Sequence, residues 1–439
     1  MKKKVSHMSI PWHEYIKDDN DAPATEASLS EKASLIGRIG MIMLSCGTPA
    51  WRVRNSMTTA AMSLKVTCNA EVGLNSINYT CIDKHESFSQ FVSIAGISVN
   101  TYKLAGLERL VKDFREKSEH VSVSGMHSIL DDIQKTPETH STAMLSLAAA
   151  AACASFAFLL GAGIEEIICV FIGAGVGQLV RKLILKRKLS VMISVAVGAA
   201  AACTVYAVAM LLAEHILGIK ADDGAGYICS VLFLVPGFPF ITSVLDLAKL
   251  DIRSGVERLV YSSIVMLFAT VFAWAAALVF GFEAESLAGL SLSPVLLLIL
   301  RVLASFIGIY GFSLMFNSTH LMALTAAIVG TVPNVLRIIL VREAGFHGAI
   351  AAFICAFLVG IIAIAAVKIT SFPRVAITIP AVIVGVPGFY MYQSIYYFGT
   401  GTAVEGLSAM IQAVGIILGL ALGILFSRFI ADPQFRHRD

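Results

Sequence analysis

The tetrapeptide Val-Pro-Gly-Phe occurs twice, at residues 235–238 and 386–389, each time inside a long apolar run. The stretches VPGFPFITSVLDLAKLDIRSGVERLV and VPGFYMYQSIYYFGTGTAVEGLSAMI align without a gap, so Ser243 falls on Ser394 and Gly255 on Gly406. Proline removes a backbone donor and glycine costs helix entropy, so a Pro-Gly pair within a membrane span breaks the helix there. Two breaks at matching points of two halves point to a transporter whose binding site lies between the halves.

Apolar residues make up 57% of the 439-residue chain and charged residues 14%, against roughly 45–50% and 25% in soluble domains. The chain therefore reads as a polytopic α-helical membrane protein. Ten runs are long enough to cross about 30 Å of hydrocarbon: 142–162, 167–182, 190–213, 225–246, 259–282, 293–315, 319–338, 347–367, 373–397 and 406–430. Five fall in each half, 142–282 and 292–430. An odd number of crossings per half turns the second half upside down, so the repeat is inverted. GAGVGQLVRK and VGTVPNVLRI extend the pairing and set Arg181 against Arg337.

Lys and Arg gather in the turns after the second, fourth and eighth spans and in the tail 431–439. The positive-inside rule then places both termini and the polar residues 28–140 in the cytoplasm, in a multi-pass protein of the inner membrane, with the loop 214–224 outside. A net charge of +3 gives no footprint for nucleic acid. The eight cysteines lack Cys-x-x-Cys spacing and read as buried free thiols. No secretory signal, metal-ligand spacing or cofactor motif is found, and residues 1–27, polar and proline-containing, are expected to be poorly ordered.

Residues 28–140 read as a small α/β domain. A capping box, Ser28 with Glu31, opens a helix to about Ser45. Thr48 and Pro49 open a second one. Strands are expected at 66–74, 76–82 and 88–94, then a helix capped by Asn100 or Thr101 and a short one capped by Ser124. Cys46 with Asp83, His85 and Glu86 has the residue types of a catalytic group, although Asp-Lys-His-Glu between strands also describes a solvated hairpin tip. Arg52 and Arg54, near a helix start, suit either a bound carboxylate or a structural pair.

The candidate binding residues are Pro236, Gly237 and Phe238 with Ser243, and Pro387, Gly388 and Phe389 with Ser394. The segments after the breaks would offer unpaired amides to a carboxylate, and the serines would offer hydroxyl donors. Asp246 is a candidate proton carrier or an interfacial acid. Arg301 either meets the substrate carboxylate or snorkels outward, and His320 lies at a loop end.

LSCGTPAWRVRNSMTTAAMSLKV, KLAGLERLVKDF, FLVPGFPFITSVLDLAKLDIRSGVERLV and PAVIVGVPGFYMYQS resemble the bacterial threonine/serine exporter family, in domain order as well as in motif. One departure is Arg54, where that family usually has an acid. The resemblance implies a secondary-active, proton-coupled antiporter that exports threonine and serine. Related two-chain versions look like dicarboxylate exporters, which keeps a succinate-like substrate open. The partners expected are a small carboxylate or amino acid, a proton and the lipid bilayer, with a homo-oligomer left open. A membrane-tethered hydrolase built on residues 28–140 is the rival, but ten spans with a repeat exceed what an anchor needs, so no enzymatic role is expected.

Overall fold

The computed structural model describes residues 10–16, 22–94, 96–217, 226–282 and 292–431. The chain divides into two compact units, residues 1–138 with 242–258, and residues 139–241 with 259–439.

In the first unit, α1 (Leu29–Ser45) is buried almost all round. Its start is fixed by the capping box, in which the Ser28 amide donates to Glu31 Oε2 over 2.9 Å. Ala50–Ser63 forms α2. Three strands follow, β1 (Thr67–Val72), β2 (Ser76–Asp83) and β3 (Glu86–Ser93), antiparallel in the order β1-β2-β3. Tyr79 of β2 lies against α1 at Gly37, where a Cβ would sit 2.1 Å from its hydroxyl oxygen, and donates to the Ala33 carbonyl. Helices α3 (Thr101–Lys112), α4 (Phe114–His120) and α5 (Val123–Lys135) complete the described part before 138. Asn100 caps α3 by accepting from the Lys103 amide. The last helix is capped by Ser122 rather than by Ser124, because Ser122 Oγ is the atom that accepts from the Gly125 amide.

Order begins earlier than composition predicts. Turns at Trp12–Tyr15 and Ala24–Glu26 put Trp12, 5% exposed, into the core of this unit, and Tyr15 accepts from Gln90. An indole buries enough apolar surface to hold a polar segment in place. Residues 1–9, 17–21 and the tail after Ala431 lie outside the described residues, as do most of the loop at 214–224 and the acids Glu283 and Glu285.

The second unit carries long apolar helices: α6 (Thr142–Leu160), α7 (Ile164–Lys186), α8 (Val191–Leu217), and later α11 (Ile252–Phe280), whose first turns belong to the first unit, α12 (Pro294–Met315), α13 (His320–Arg342), α14 (Gly348–Thr370) and α17 (Ala403–Ala431). With each hydrogen-bonding its own backbone, these are elements that hydrocarbon tolerates. The chain is a multi-pass membrane protein, with eight helices long and apolar enough to cross among the described residues. The bent pair of 374–385 and 388–400, whose axes differ by 50°, makes a ninth if it is counted as one span. The run read as a span at 225–246 is instead cut into α9 (Gly226–Ser230), a 3-10 turn at Leu232–Leu234, and α10 (Gly237–Ala248). The partner run at 373–397 is cut likewise into α15 (Arg374–Val382), a turn at Ile383–Gly385, and α16 (Gly388–Thr400). The cause is the same proline in both. Residues 242–258, read as a span end and loop of the first membrane half, group with the N-terminal residues.

Candidate functional site

Each break has the same local geometry. A 3-10 turn ends in an extended valine, Val235 (φ −61°, ψ 121°) or Val386 (φ −66°, ψ 131°). The proline follows, and the glycine amide donates back to that valine's carbonyl, Gly237 over 2.8 Å and Gly388 over 2.9 Å. This is an inverse γ-turn. The new helix starts at the glycine, and its next amides, Phe238 in the first copy and Phe389 and Tyr390 in the second, have no acceptor of their own among the described bonds. Pro239 has no amide to offer, so the first copy presents one donor fewer.

The two breaks pack against each other. A Cβ on Gly237 would lie 2.6 Å from Ile383 Cδ1, and one on Gly388 would lie 2.8 Å from Leu232 Cδ2 and from Val235 Cγ2. Each glycine is thus pressed onto the residues just before the other proline, and only a bare hydrogen fits. The space left between them, bounded also by Phe156 and Phe312, is about 20 Å³, which is room for roughly one water molecule. The expected central cavity is closed here. Phe238 is buried with its ring edge-on to Phe316 at 5.4 Å, and Tyr392 donates to the Tyr227 hydroxyl over 3.0 Å.

Residues 34–281 match the family model described as "Putative threonine/serine exporter", and residues 301–430 that described as "Threonine/Serine exporter, ThrE". The chain belongs to the threonine/serine exporter family. Curated relatives include the "Probable succinate transporter subunit YjjP" of Klebsiella aerogenes, 27% identical over 34% of this chain and 59% of that protein. The same-named protein of Escherichia coli strain K12 is 26% identical over 35% of this chain and 61% of its own length. The chain thus spans about three fifths of the curated relatives it matches. No solved structure matches.

In this family member the other candidate residues are engaged with one another or with the backbone. Ser243 Oγ donates to the Gly255 carbonyl over 2.7 Å, and Ser394 Oγ donates to the Gly406 carbonyl over 3.0 Å. A hydroxyl has one proton to give. The serines therefore tie one helix to the next instead of presenting donors to a ligand. Arg301 is buried and paired with Glu343, Nη1 to Oε1 at 2.6 Å, so its guanidinium answers a carboxylate of this chain. Tyr310 and His320 share a hydrogen bond, Oη to Nδ1 at 2.8 Å, and His320 lies edge-on to His140.

Asp246 is not solvated. It is fully buried in the first unit, where Oδ1 accepts from the Ala50 amide (2.9 Å), and Oδ2 accepts from Ser254 Oγ (3.0 Å) and faces Arg258 Nε at 3.2 Å. A carboxylate at the first amide of α2 is well placed against that helix's dipole. Arg258 in turn donates to the carbonyls of Gly47 (3.1 Å) and Thr48 (2.7 Å). Arg54 forks onto Asp251, with Nη2 to Oδ2 at 2.9 Å, and Arg52 pairs with Glu108. The two arginines hold carboxylates, but the chain's own. The sequence shows Arg258 only as a charge that orients the chain, since the carbonyls that hold it lie 211 and 210 residues away.

Of the hydrolase constellation, Cys46 is buried and His85 and Glu86 are exposed at the hairpin tip. Burial pushes the Cys46 thiol up to about 11, so it stays protonated and a poor nucleophile at neutral pH. Among the described residues no cluster suits a metal ion.

Proposed function

We propose that this chain is a secondary-active exporter of small hydroxy amino acids, threonine and serine, driven by the proton gradient. Two inverted five-span repeats make ten crossings in this reading, the eight long helices and the two broken ones. A cytoplasmic α/β domain precedes them, and both termini are cytoplasmic. The observation that carries the proposal is the pair of equivalent Pro-Gly breaks packed face to face. Broken helices that meet are where transporters of this construction hold substrate. Pro236, Gly237, Phe238, Pro387, Gly388 and Phe389 line the path, and substrate entry requires the two breaks to part. The threonine/serine assignment follows the family.

The second reading is a succinate-like dicarboxylate, favoured by the name of the relatives. Counterflow of labelled threonine, serine and succinate into proteoliposomes decides between the two, and counterflow of none rejects both.

Proton coupling is assigned to Asp246. Among the described ion pairs, Asp246–Arg258 alone has both side chains nearly sealed, at 0% and 2% exposure. Protonation would free Arg258 and weaken the hold on Ala50. Asp246→Asn should then remove the pH dependence of transport while exchange persists; unchanged pH dependence removes Asp246 from the mechanism. Orientation is tested with cysteines at His85, an exposed hairpin position, and at Asp222, which should label from opposite sides.

A further inference from the structure

A cavity of about 580 Å³ opens beside the second break, with Val341, His347, Tyr390, Ser408 and Gln412 in its wall. It is large enough for a small metabolite, whereas the space between the breaks is not. Its polar groups are a phenol, a hydroxyl, an amide and an imidazole, and its described lining residues include no acid.

Arg337 is a neighbour of both the chamber wall and the break. It is one turn before Val341 on the same face of α13. Its Nε is 3.6 Å from where a Cβ on Gly385 would stand, two residues ahead of Pro387. Nε donates to Asn334 Oδ1 over 3.1 Å, and Asn334 Nδ2 donates to Ser305 Oγ over 2.9 Å, which fixes the amide's orientation. Among the described residues, the terminal nitrogens of Arg337 make no hydrogen bond and no carboxylate is in ion-pair range of it.

Three other arginines in the apolar helices are answered, whereas Arg181, the counterpart of Arg337 in the first half, has only Gln178 Oε1 at 3.4 Å. Arg301 has Glu343, Arg374 has the Gly360 carbonyl, and Arg342 has the carbonyls of Leu159 and Leu160. A guanidinium inside a membrane body is costly without an anionic partner. Here its stem is fastened by a neutral amide and its two-nitrogen fork is left open, which is the geometry that grips a carboxylate with two parallel bonds.

We propose that the chamber beside the second break receives a small carboxylate and that Arg337 binds it. The inference rests on the transporter reading above, adds a binding residue to it and favours its second substrate, the dicarboxylate, over the first. With no acid in the described wall to meet an ammonium group, a dicarboxylate suits the chamber better than a zwitterion.

The test is equilibrium binding of radiolabelled succinate and of threonine to the full-length protein in detergent. Arg337→Gln should weaken binding at least tenfold, Arg337→Lys, which keeps the charge and loses the fork, less, and Ser305→Ala a few-fold through Asn334. Succinate should bind more tightly than threonine; the reverse order overturns the dicarboxylate preference. A folded Arg337→Gln protein with unchanged affinity for both overturns the site. Where that variant does not fold, Ser408→Cys in a background with Cys68→Ser gives a second readout: succinate should slow its modification by a thiol reagent, and failure of both ligands to do so overturns the chamber. Counterflow separates the two proposals. Transport that survives Arg337→Gln at unchanged affinity rejects the chamber and keeps the transporter, whereas normal binding without any transport keeps the chamber and rejects the transporter.

Discussion

After the first break the chain carries Asp246, Asp251, Arg253, Ser254, Glu257 and Arg258; after the second the same places hold Tyr397, Thr402, Val404, Glu405, Ser408 and Ala409. The backbone is alike in both. Ser243 and Ser394 bond to equivalent glycine carbonyls. Left-handed residues turn the chain at equivalent points, Leu250 (φ 63°) and Gly401 (φ 87°). Equivalent glycines admit the preceding helix, Gly255 beside Leu247 and Gly406 beside Phe398. The side chains then give the two copies different work. Those of the first reach Gly47, Thr48, Ala50, Arg54, Glu71 and Leu74 and make residues 242–258 part of the polar unit. Of the second set, Val404 and Ser408 line the chamber instead. Pro-Gly and Ser-Gly therefore fix the break, while the charges decide what each copy serves.

The largest effect should come from opening the buried pair of the first copy. Arg258→Met leaves the Asp246 carboxylate without its cation, at a cost of about 3–5 kcal/mol, and should lower the melting temperature of the full chain sharply. Ser408→Ala, at the exposed position equivalent to Glu257, should change little. Equal losses in the two would mean that the charges do not set the copies apart.

Acid should also act on one copy first. His127 of the polar unit is held well below its ordinary 6.5, at about 3, by burial and then by the neighbouring Arg38, whose partner is Asp131; His13 also faces it. The folded state resists protonation that the unfolded chain accepts, so this stability is complete above about pH 6.5 and is lost as the pH falls towards 3. Each pH unit within that window removes up to about 1.4 kcal/mol. Hydrogen exchange should accelerate in 246–258 near pH 5 before it does in 397–409, and His127→Gln should flatten the dependence. Acceleration in both copies together would break the distinction.

How far the sequence carried is clearest at these places. The breaks, the capping box and the hairpin are local chemistry and could be read from a few adjacent residues. The tie from Asp246 to Ala50 crosses 196 positions and leaves no local mark. The span read at 319–338 ends one residue after Arg337. Apolar Ile338 to Val341 carry α13 on to Arg342, which places the charge within the helix. Trp12 was lost in a segment whose average composition is polar.

Gly237→Ala and Gly388→Ala test the symmetry itself. Each methyl would press on the other break at 2.6–2.8 Å, an overpacking that costs about 1–3 kcal/mol. Both should abolish counterflow to a similar degree, because the contact is reciprocal. Transport lost at one site alone would show that only one break moves.

The smallest effects belong to the serines, and they discriminate best because the two bonds are so alike. Ser243→Ala and Ser394→Ala each remove one hydrogen bond to a glycine carbonyl that the helix continues to engage, so each should cost about 1 kcal/mol. Chemical unfolding of the full chain measures the difference. If the hydroxyls hold helices and touch no substrate, affinity for the labelled ligands should stay unchanged in both variants. A fall in affinity without loss of stability, at either serine, would return that hydroxyl to the binding site and contradict the helix-tie role. A much larger stability loss at Ser243 alone would extend the first copy's polar network one turn closer to the break, and would move the point where the two copies diverge from Asp246 back to Ser243.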